Sequence, residues 1–390
     1  MPTPAPHKQP HQTQWEKVKL GDIAEITAGQ SPQSKFYSAT QGMPFLQGSK
    51  TFGFKYPTID TYTTHTTKIA KKGSILISVR APVGDLNFAP FDICIGRGLA
   101  SIEAKVGTNQ SLWYILKFNL ANILRQKNLG TTFDSISKET LQKMNIIAPP
   151  LPIQENIAQI LSTLDKKIEL NTRINTELES MAKLLYTRYF VEYNFPDSSG
   201  KPYKTSGGAM VYSPTLKREI PQDWEVAKIG DLCDVITGKE DANFATKNGK
   251  FAFFTCGSEI LRCDIPKFNA KAVLIAGNGN FNIKYFEGAF NAYQRTYILI
   301  PKEHLVGLFY MCCKQYCEIF MKHSNGSIVK FITKGDIENI PIPLPKNLDL
   351  LNTLNKILSF TNHLWQESQR LAEWRDYLLP LLMGDQVEVV

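Results

Sequence analysis

The sequence predicts an α+β protein in which two similar α/β domains are joined and separated by two long antiparallel coiled-coil helices. The first observation behind this prediction is an internal repeat, because WEKVKLGDIAEITAGQ at residues 15–30 returns as WEVAKIGDLCDVITGK at 224–239. The second is that each copy is followed by a proline-rich stop and then by a long run of apolar residues with heptad spacing. The order is therefore domain, helix, domain, helix.

The repeat continues beyond its opening motif in the same order. Arg97 falls on Arg295, and GTTFDSISKETLQKMNI at 130–146 falls on GSIVKFITKGDIENIPI at 326–342. The difference in residue number between matched residues decreases along the chain, as loop deletions in the second copy would produce. Because chance similarity does not keep its order over such a length, we interpret the pattern as a duplicated domain.

The two apolar runs predict coiled-coil seams. Pro149, Pro150 and Pro152 mark the start of the first helix, since proline suits a first helical turn and not a helix interior. At about 1.5 Å per residue, residues 157–190 would form a rod of roughly 50 Å. The connectivity lets the two helices pack along their length only if they are antiparallel. The predicted seam consists of Ile157, Leu164, Asn171, Asn175, Leu178, Leu185, Leu350, Ile357, Leu364, Leu371 and Leu378.

Asn171 and Asn175 are unusual members of this seam. A buried amide there costs stability but penalises slipped registers and wrong partners. If the heptad were displaced by one residue, both side chains would instead face solvent. The predicted domains are a disordered lead at 1–14, domain one at 15–150, the first helix at 151–192, a linker at 193–220, domain two at 221–345, and the second helix with its tail at 346–390.

Composition limits the class of protein. The chain has 390 residues of which 43% are hydrophobic, and no apolar run approaches the roughly 20 residues that a membrane span needs. The opening MPTPAPHKQPHQTQ lacks the apolar core of a secretion signal, so we expect a cytoplasmic protein without a membrane partner. Seven cysteines then indicate free thiols. Cys312, Cys313 and Cys317 follow a helical apolar face, which favours core packing over a metal site.

The net charge of +8 favours a polyanionic partner. Basic and amide side chains lie beside the predicted buried strands, where loops project from a rigid scaffold. The corresponding loops differ between the copies although the scaffold agrees, which suggests that one protein reads two different DNA half-sites. The candidate DNA-binding residues are Gln47, Ser49, Lys50, Lys72, Arg80, Arg97, Ser258, Asn278, Asn280, Asn282, Lys284 and Arg295.

These candidates suggest different roles. Because Arg97 and Arg295 recur at one position of the alignment, they indicate a shared phosphate contact, with a structural ion pair as the alternative. Asn278, Asn280 and Asn282 differ from the residues of domain one and indicate either base reading in domain two or turn geometry.

Three segments resemble the conserved regions of the specificity subunit of Type I restriction-modification systems. They are PPLPIQENIAQIL at the start of the first helix, FPDSSGKPYKTSGGAMVYSPTLKREIPQDWE before domain two, and LAEWRDYLLPLLMGDQVEV at the end. The resemblance implies two target-recognition domains, each binding half of a split sequence in double-stranded DNA, with the helices acting as a ruler. It also implies docking of two modification subunits that bind S-adenosylmethionine and methylate adenine, and of restriction subunits that use ATP and Mg.

The resemblance implies no catalytic residue and no cofactor on this chain. The residues agree, because GNGNF at 277–281 lacks the GK[ST] ending of a nucleotide-binding loop, and the Asn/Asp-Pro-Pro-aromatic tetrad of an adenine methyltransferase is not found. A second interpretation remains open, namely a protein-interaction scaffold that bridges two partners without DNA. Salt-sensitive binding to duplex DNA distinguishes the two.

Overall fold

The computed structural model describes residues 15–127, 135–279, 281–323 and 331–387 and divides into two compact units. The first unit combines residues 1–168 with 370–390, and the second consists of residues 169–369. The lead that we predict to be disordered, residues 1–14, lies outside the described residues. Each unit contains helices and sheets of related topology, so the predicted α+β class is confirmed.

The first unit is built on two main sheets. One has the strand order β2-β10-β7-β8, the other has the order β3-β5-β4-β9-β6, and β1 pairs with β11. Its elements are β1 (Glu16–Lys19), α1 (Leu20–Ile23), β2 (Ala24–Ala28), β3 (Tyr37–Ser38), β4 (Met43–Leu46), β5 (Tyr62–Thr63), β6 (Ile69–Ala70), β7 (Ile75–Ser78), β8 (Leu86–Phe88), β9 (Ile93–Ile95), β10 (Leu99–Ala104), α2 (Asn109–Lys127), α3 (Lys138–Gln142) and β11 (Asn145–Ala148).

The second unit merges the corresponding strands into one six-stranded sheet of order β15-β20-β18-β19-β16-β17. Strand β18 extends over the region that forms β6 and β7 in the first unit. The remaining elements are α4 (Leu151–Tyr186), β12 (Met210–Ser213), β13 (Arg218–Pro221), β14 (Glu225–Lys228), α5 (Ile229–Leu232), β15 (Val235–Thr237), β16 (Phe251–Phe254), β17 (Ile260–Cys263), β18 (Phe268–Ala276), β19 (Ile283–Ala292), β20 (Thr296–Leu299), α6 (Val306–His323), α7 (Lys334–Glu338), β21 (Pro341–Leu344) and α8 (Asp349–Met383).

The central strand of each unit is buried on both faces, as its continuous apolar sequence requires. In β7, Ile75 and Ile77 join the core beneath the helices, while Leu76 points to the opposite face and joins a second core. In β18, Val273 and Leu274 divide between two cores in the same way. A buried strand of this kind holds the loop that follows it in a fixed position.

Residues 193–220, which we predict to be a linker, are folded against the second unit. Strands β12 and β13 form an antiparallel hairpin within this segment. Tyr193 and Phe195 are buried, and their rings contact Trp224 at centroid distances of 5.4 and 5.2 Å. The tryptophan that opens the second repeat is therefore a packing residue.

Helices α4 and α8 pack antiparallel inside each unit. In the second unit, Asn171 Nδ2 donates to Glu367 Oε2 at 2.7 Å, whereas Asn175, one turn later, donates to the Thr361 carbonyl at 3.3 Å. In the first unit, Arg375 Nη1 donates to Asp165 Oδ1 at 2.8 Å. As the residue numbers rise along α4, the numbers of the residues they contact in α8 fall, so the two helices run antiparallel.

The predicted seam residues are buried to different degrees. Asn171 is fully buried, and Asn175 is partly buried and bonded across the helix pair. The fully buried seam residues are Ile157, Asn171, Ile357 and Leu364, and the partly buried ones are Leu164, Asn175, Leu178, Leu185, Leu350, Leu371 and Leu378.

Replacing Asn175 by leucine is expected to stabilise the second unit. The Asn175 Oδ1 atom is buried and has no hydrogen-bond partner among the described residues, and such an oxygen costs about 1–3 kcal/mol of folding free energy. Asn175→Leu should therefore raise the Tm of the chain in calorimetry. Glu177→Leu, on the exposed side of the same helix, should give no such gain, and a lower Tm for Asn175→Leu would contradict the prediction.

The thiols of α6 belong to the core, as the sequence predicts. Cys312, Cys313 and Cys317 are buried and unpaired, and burial raises the pKa of Cys312 to about 12. No group of three or more His, Cys, Asp and Glu side chains in the described ranges is arranged to hold a metal ion. None of the helices in those ranges has a stretch long and apolar enough to cross a bilayer.

Candidate nucleic-acid interface

In each unit the same set of backbone hydrogen bonds joins three segments, which together we call the loop cluster. They are the loop after the central strand, the turn before β10 or β20, and the segment before α3 or α7. In both units the backbone N–H of the residue after the central strand, β7 or β18, donates to the turn before the neighbouring strand of the sheet, β10 or β20. The carbonyl of the same residue accepts from the segment before α3 or α7. The bonds of the first unit are Val79 N to Gly98 O and Ile136 N to Val79 O, and those of the second are Gly277 N to Arg295 O and Ile332 N to Gly277 O, all 2.9 Å long. The clusters are therefore equivalent.

A pair of glycines belongs to this shared frame. A Cβ atom on Gly29 would lie 2.2 Å from the Gly96 carbonyl oxygen, and one on Gly238 would lie 2.1 Å from the Ala292 carbonyl oxygen. No side chain fits such an approach. Both units thus require glycine where β2 or β15 meets the loop cluster.

Arg97 and Arg295 do not occupy equivalent positions, which corrects the sequence alignment. The turn before β10 is closed by Leu99 N donating to Gly96 O, and the turn before β20 by Thr296 N donating to Tyr293 O. Arg97 is the second residue of its turn, and the second residue of the other turn is Gln294. Arg295 corresponds to Gly98, so the expected shared arginine contact has no structural basis.

A one-residue deletion in the second unit causes this shift. The loop after β7 is closed by Ser78 N donating to Asp85 O, and the loop after β18 by Ala276 N donating to Asn282 O. The loop closed by the first hydrogen bond is therefore one residue longer than the loop closed by the second. Aligning two identical arginines conceals the deletion, whereas the hydrogen bonds reveal it.

In the first unit the loop cluster surrounds a basic depression of about 260 Å³. Arg80, Arg97 and Lys138 line it together with Ser135 and Ser137. All five side chains are exposed, and no acidic residue is among the described residues that line the depression. Three cations beside two hydroxyl groups make a surface suited to a phosphate or to the acceptor edge of a base.

The second unit presents amides where the first presents guanidinium groups. An isolated bridge joins Arg80 to Ser135 in the first unit, and the equivalent bridge joins Asn278 to Phe331 in the second. Asn278 thus replaces Arg80, and Gln294 replaces Arg97. Gln294 is exposed, and its Nε2 donates to Asp241 Oδ1 at 3.0 Å.

One lysine is common to both clusters. Lys138 and Lys334 are the first residues of α3 and α7, each following a residue that caps the helix with its side-chain hydroxyl. Both are exposed, and Lys334 lies 3.4 Å from Glu338. These lysines and Gln294 are not among the residues predicted from the sequence. The aligned SISKET and FITKGD motifs carried the signal for the lysines, whereas nothing in the sequence reveals the shifted register.

The other candidates of the first unit lie at different distances from the depression. Gln47 Oε1 accepts from Ser31 Oγ at 2.9 Å, and Ser31 Oγ accepts from the Arg97 amide at 3.1 Å, so Gln47 borders the cluster. Ser49 donates to Asp85 Oδ2 at 3.2 Å, and Lys50 next to it is exposed. Lys72 is exposed but precedes β7, at the opposite end of the strand from the cluster.

The candidates of the second unit divide similarly. Asn282 Nδ2 donates to the Cys256 carbonyl at 3.5 Å, Ser258 is exposed nearby, and the Arg295 side chain is exposed. Lys284 donates to the Gly257 carbonyl, and burial lowers the pKa of its ammonium group. Lys284 also lines a separate cavity between β19 and the helices, away from the loop cluster. Asn280 lies outside the described residues.

Comparisons with known proteins agree with this architecture. The sequence model of the protein family described as the Type I restriction modification DNA specificity domain matches residues 12–180 and 221–364. The chain is 41% identical over 175 residues to the putative type I restriction enzyme MjaX specificity subunit of Methanocaldococcus jannaschii, covering 43% of this chain and 41% of that protein. It is 34% identical over 178 residues to the type I restriction enzyme EcoDI specificity subunit of Escherichia coli, covering 43% and 40%.

The aligned part thus spans about two fifths of the length of these relatives. The fold resembles the crystal structure of a Type I restriction-modification system S subunit from M. genitalium, with a TM-score of 0.57 and 18% identity over 98% of both chains. The family match covers both repeats and confirms the resemblance found in the sequence. This chain belongs to the family of the Type I restriction modification DNA specificity domain.

Proposed function

We propose that this chain is the sequence-specific DNA-binding subunit of a Type I restriction-modification complex and that each unit reads one half of a split target. The observation that carries the proposal is the pair of equivalent loop clusters, which share a backbone frame and differ in side chains. A single frame with exchanged polar residues reads two different sequences, because each base pair presents its own pattern of donors and acceptors in the major groove. The long helices would fix the spacer between the halves.

We also propose that the helices dock two modification subunits. In the second unit Met181 and Leu184 of α4 are 52% and 71% exposed. In the first unit Trp374 and Tyr377 of α8 are 65% and 68% exposed. Large apolar side chains on the outside of a helix pair are typical of interaction surfaces, and aromatic residues dominate such contacts. Catalysis, S-adenosylmethionine, ATP and Mg would belong to the partner subunits.

Methylome sequencing tests the proposal. Cells that express this chain with its modification subunit should carry methyl-adenine in a split motif, and deletion of this chain alone should abolish that motif. Exchanging residues 277–295 for the segment of another family member should change one half of the motif and leave the other half and the spacer intact. If no methylated motif depends on this chain, the scaffold function takes its place. Exchange of both halves together would contradict the assignment of one half to each unit.

A further inference from the structure

We infer that positions 80 and 97 of the first unit, with 278 and 294 of the second, are the base-reading positions of this chain. Arg80 and Arg97 would read guanine in one half-site, whereas Asn278 and Gln294 would read adenine in the other. Lys138 and Lys334 would each contact a DNA phosphate, at the equivalent position of the two half-sites. This inference rests on the proposed function and assigns it to particular side chains.

The proposed base-reading positions are equivalent in the two units. Arg80 and Asn278 each form the isolated bridge to the segment before the short helix, opposite Ser135 and Phe331. Arg97 and Gln294 are each the second residue of a turn closed by the same backbone hydrogen bond. A base that meets one frame in a given orientation would therefore meet the other frame in the same way.

The side chains at these positions change between the units in the way that a change from guanine to adenine requires. Arginine pairs with O6 and N7 of guanine through two hydrogen bonds, and asparagine or glutamine pairs with N6 and N7 of adenine. Both positions change from arginine to an amide between the units. The lysine at the start of the short helix does not change, as expected for a contact to the backbone that all sequences share.

The polar groups of Arg80, Arg97 and Gln294 are available to a ligand. The guanidinium groups of Arg80 and Arg97 form no ion pair with a carboxylate in the described part of the chain, and both are exposed. Within the described part of the chain, the Gln294 side chain forms one hydrogen bond, from Nε2 to the exposed Asp241, and its Oε1 is left to accept from adenine N6. On DNA binding, Nε2 would give up its hydrogen bond to Asp241 and donate to adenine N7 instead. Among the described residues, a structural ion pair, the alternative considered for Arg97, is therefore not what holds either arginine.

The experiment is a selection of duplexes from a random library by the full chain purified with its modification subunit, followed by sequencing of the bound DNA. The double variant Asn278→Arg with Gln294→Arg should replace adenine by guanine in the half-site of the second unit. Arg80→Asn with Arg97→Gln should make the opposite change in the other half-site. We expect the ratio of guanine to adenine to shift about 10- to 100-fold at each affected position, with the untouched half-site as internal standard.

Alanine variants keep the test decisive if the arginine variant loses its half-site altogether. Asn278→Ala and Gln294→Ala only truncate side chains and should relax the adenine positions to any base. An unchanged base preference in these variants, or a uniform loss of affinity with an unchanged motif, would overturn the inference, since the latter identifies phosphate contacts. Lys138→Ala is the matched control and should weaken binding without changing the motif. If the proposed function itself is wrong, the result differs, because the complex without any substitution would then select no sequence.

Discussion

Replacing Arg375 by methionine is expected to destabilise the first unit by about 3–5 kcal/mol. Arg375 and Asp165 are joined at 2.8 Å, and their side chains are only 9% and 10% exposed. Removing the guanidinium group leaves the Asp165 carboxylate buried without its counterion. Tyr114 would remain as a partner, because it donates to Asp165 Oδ2 at 2.6 Å and burial raises its pKa, but one neutral donor does not replace a charge. Chemical denaturation monitored by fluorescence measures the loss.

A double variant and an exposed ion pair serve as controls for this prediction. Asp165→Leu with Arg375→Met removes both charges and should recover most of the stability, since well-packed apolar residues often replace a buried pair without loss. Lys183 and Glu318 lie 3.3 Å apart with side chains 66% and 48% exposed. Lys183→Met should therefore cost at most about 1 kcal/mol. Equal losses in the single and double buried variants would show that packing, and not the uncompensated charge, governs the site.

The Asp165–Arg375 pair also shows what the sequence could not predict. Heptad spacing identified eleven positions of α4 and α8 that are buried or partly buried, because apolar periodicity is a local property of one helix. The pairing of two particular charges depends instead on how the helices are aligned against each other, and neither partner is among the seam positions that the heptad named. The seam was therefore predictable, and its main ion pair was not.

The loop clusters show a similar limit. The sequence identified the two frames and some of their polar residues, since Arg80, Arg97 and Asn278 follow recognisable strands. It did not identify Gln294, because matching Arg97 to Arg295 gives the better letter-by-letter alignment. Backbone hydrogen bonds decide the correspondence, and they become visible only when both copies are folded. Which residues of the two units correspond thus depends on one deleted loop residue that sequence identity conceals.

Binding of duplex DNA by the assembled complex is expected to weaken by orders of magnitude as salt rises. Each phosphate neutralised by Lys or Arg releases counterions, so the logarithm of the binding constant falls linearly with the logarithm of salt concentration. Six to ten such contacts would cost roughly 10³–10⁵ in affinity between 50 and 200 mM salt. The net charge of +8 and the basic depression of the first unit provide the cations for this effect. Fluorescence anisotropy across a salt series measures the slope.

Lysine variants then assign individual phosphate contacts. Lys138→Ala and Lys334→Ala should each reduce the magnitude of the slope by about 1, for specific and random duplexes alike. Lys143→Ala is the matched control, because Lys143 is an exposed lysine at the far end of the same short helix as Lys138 and does not line the depression. If Lys143→Ala lowered the slope as much as Lys138→Ala, overall charge and not the loop cluster would account for the affinity. A slope that changes only with Lys138 and Lys334 would place the DNA backbone at equivalent points of the two units, which is the geometry that sequence reading by the neighbouring side chains requires.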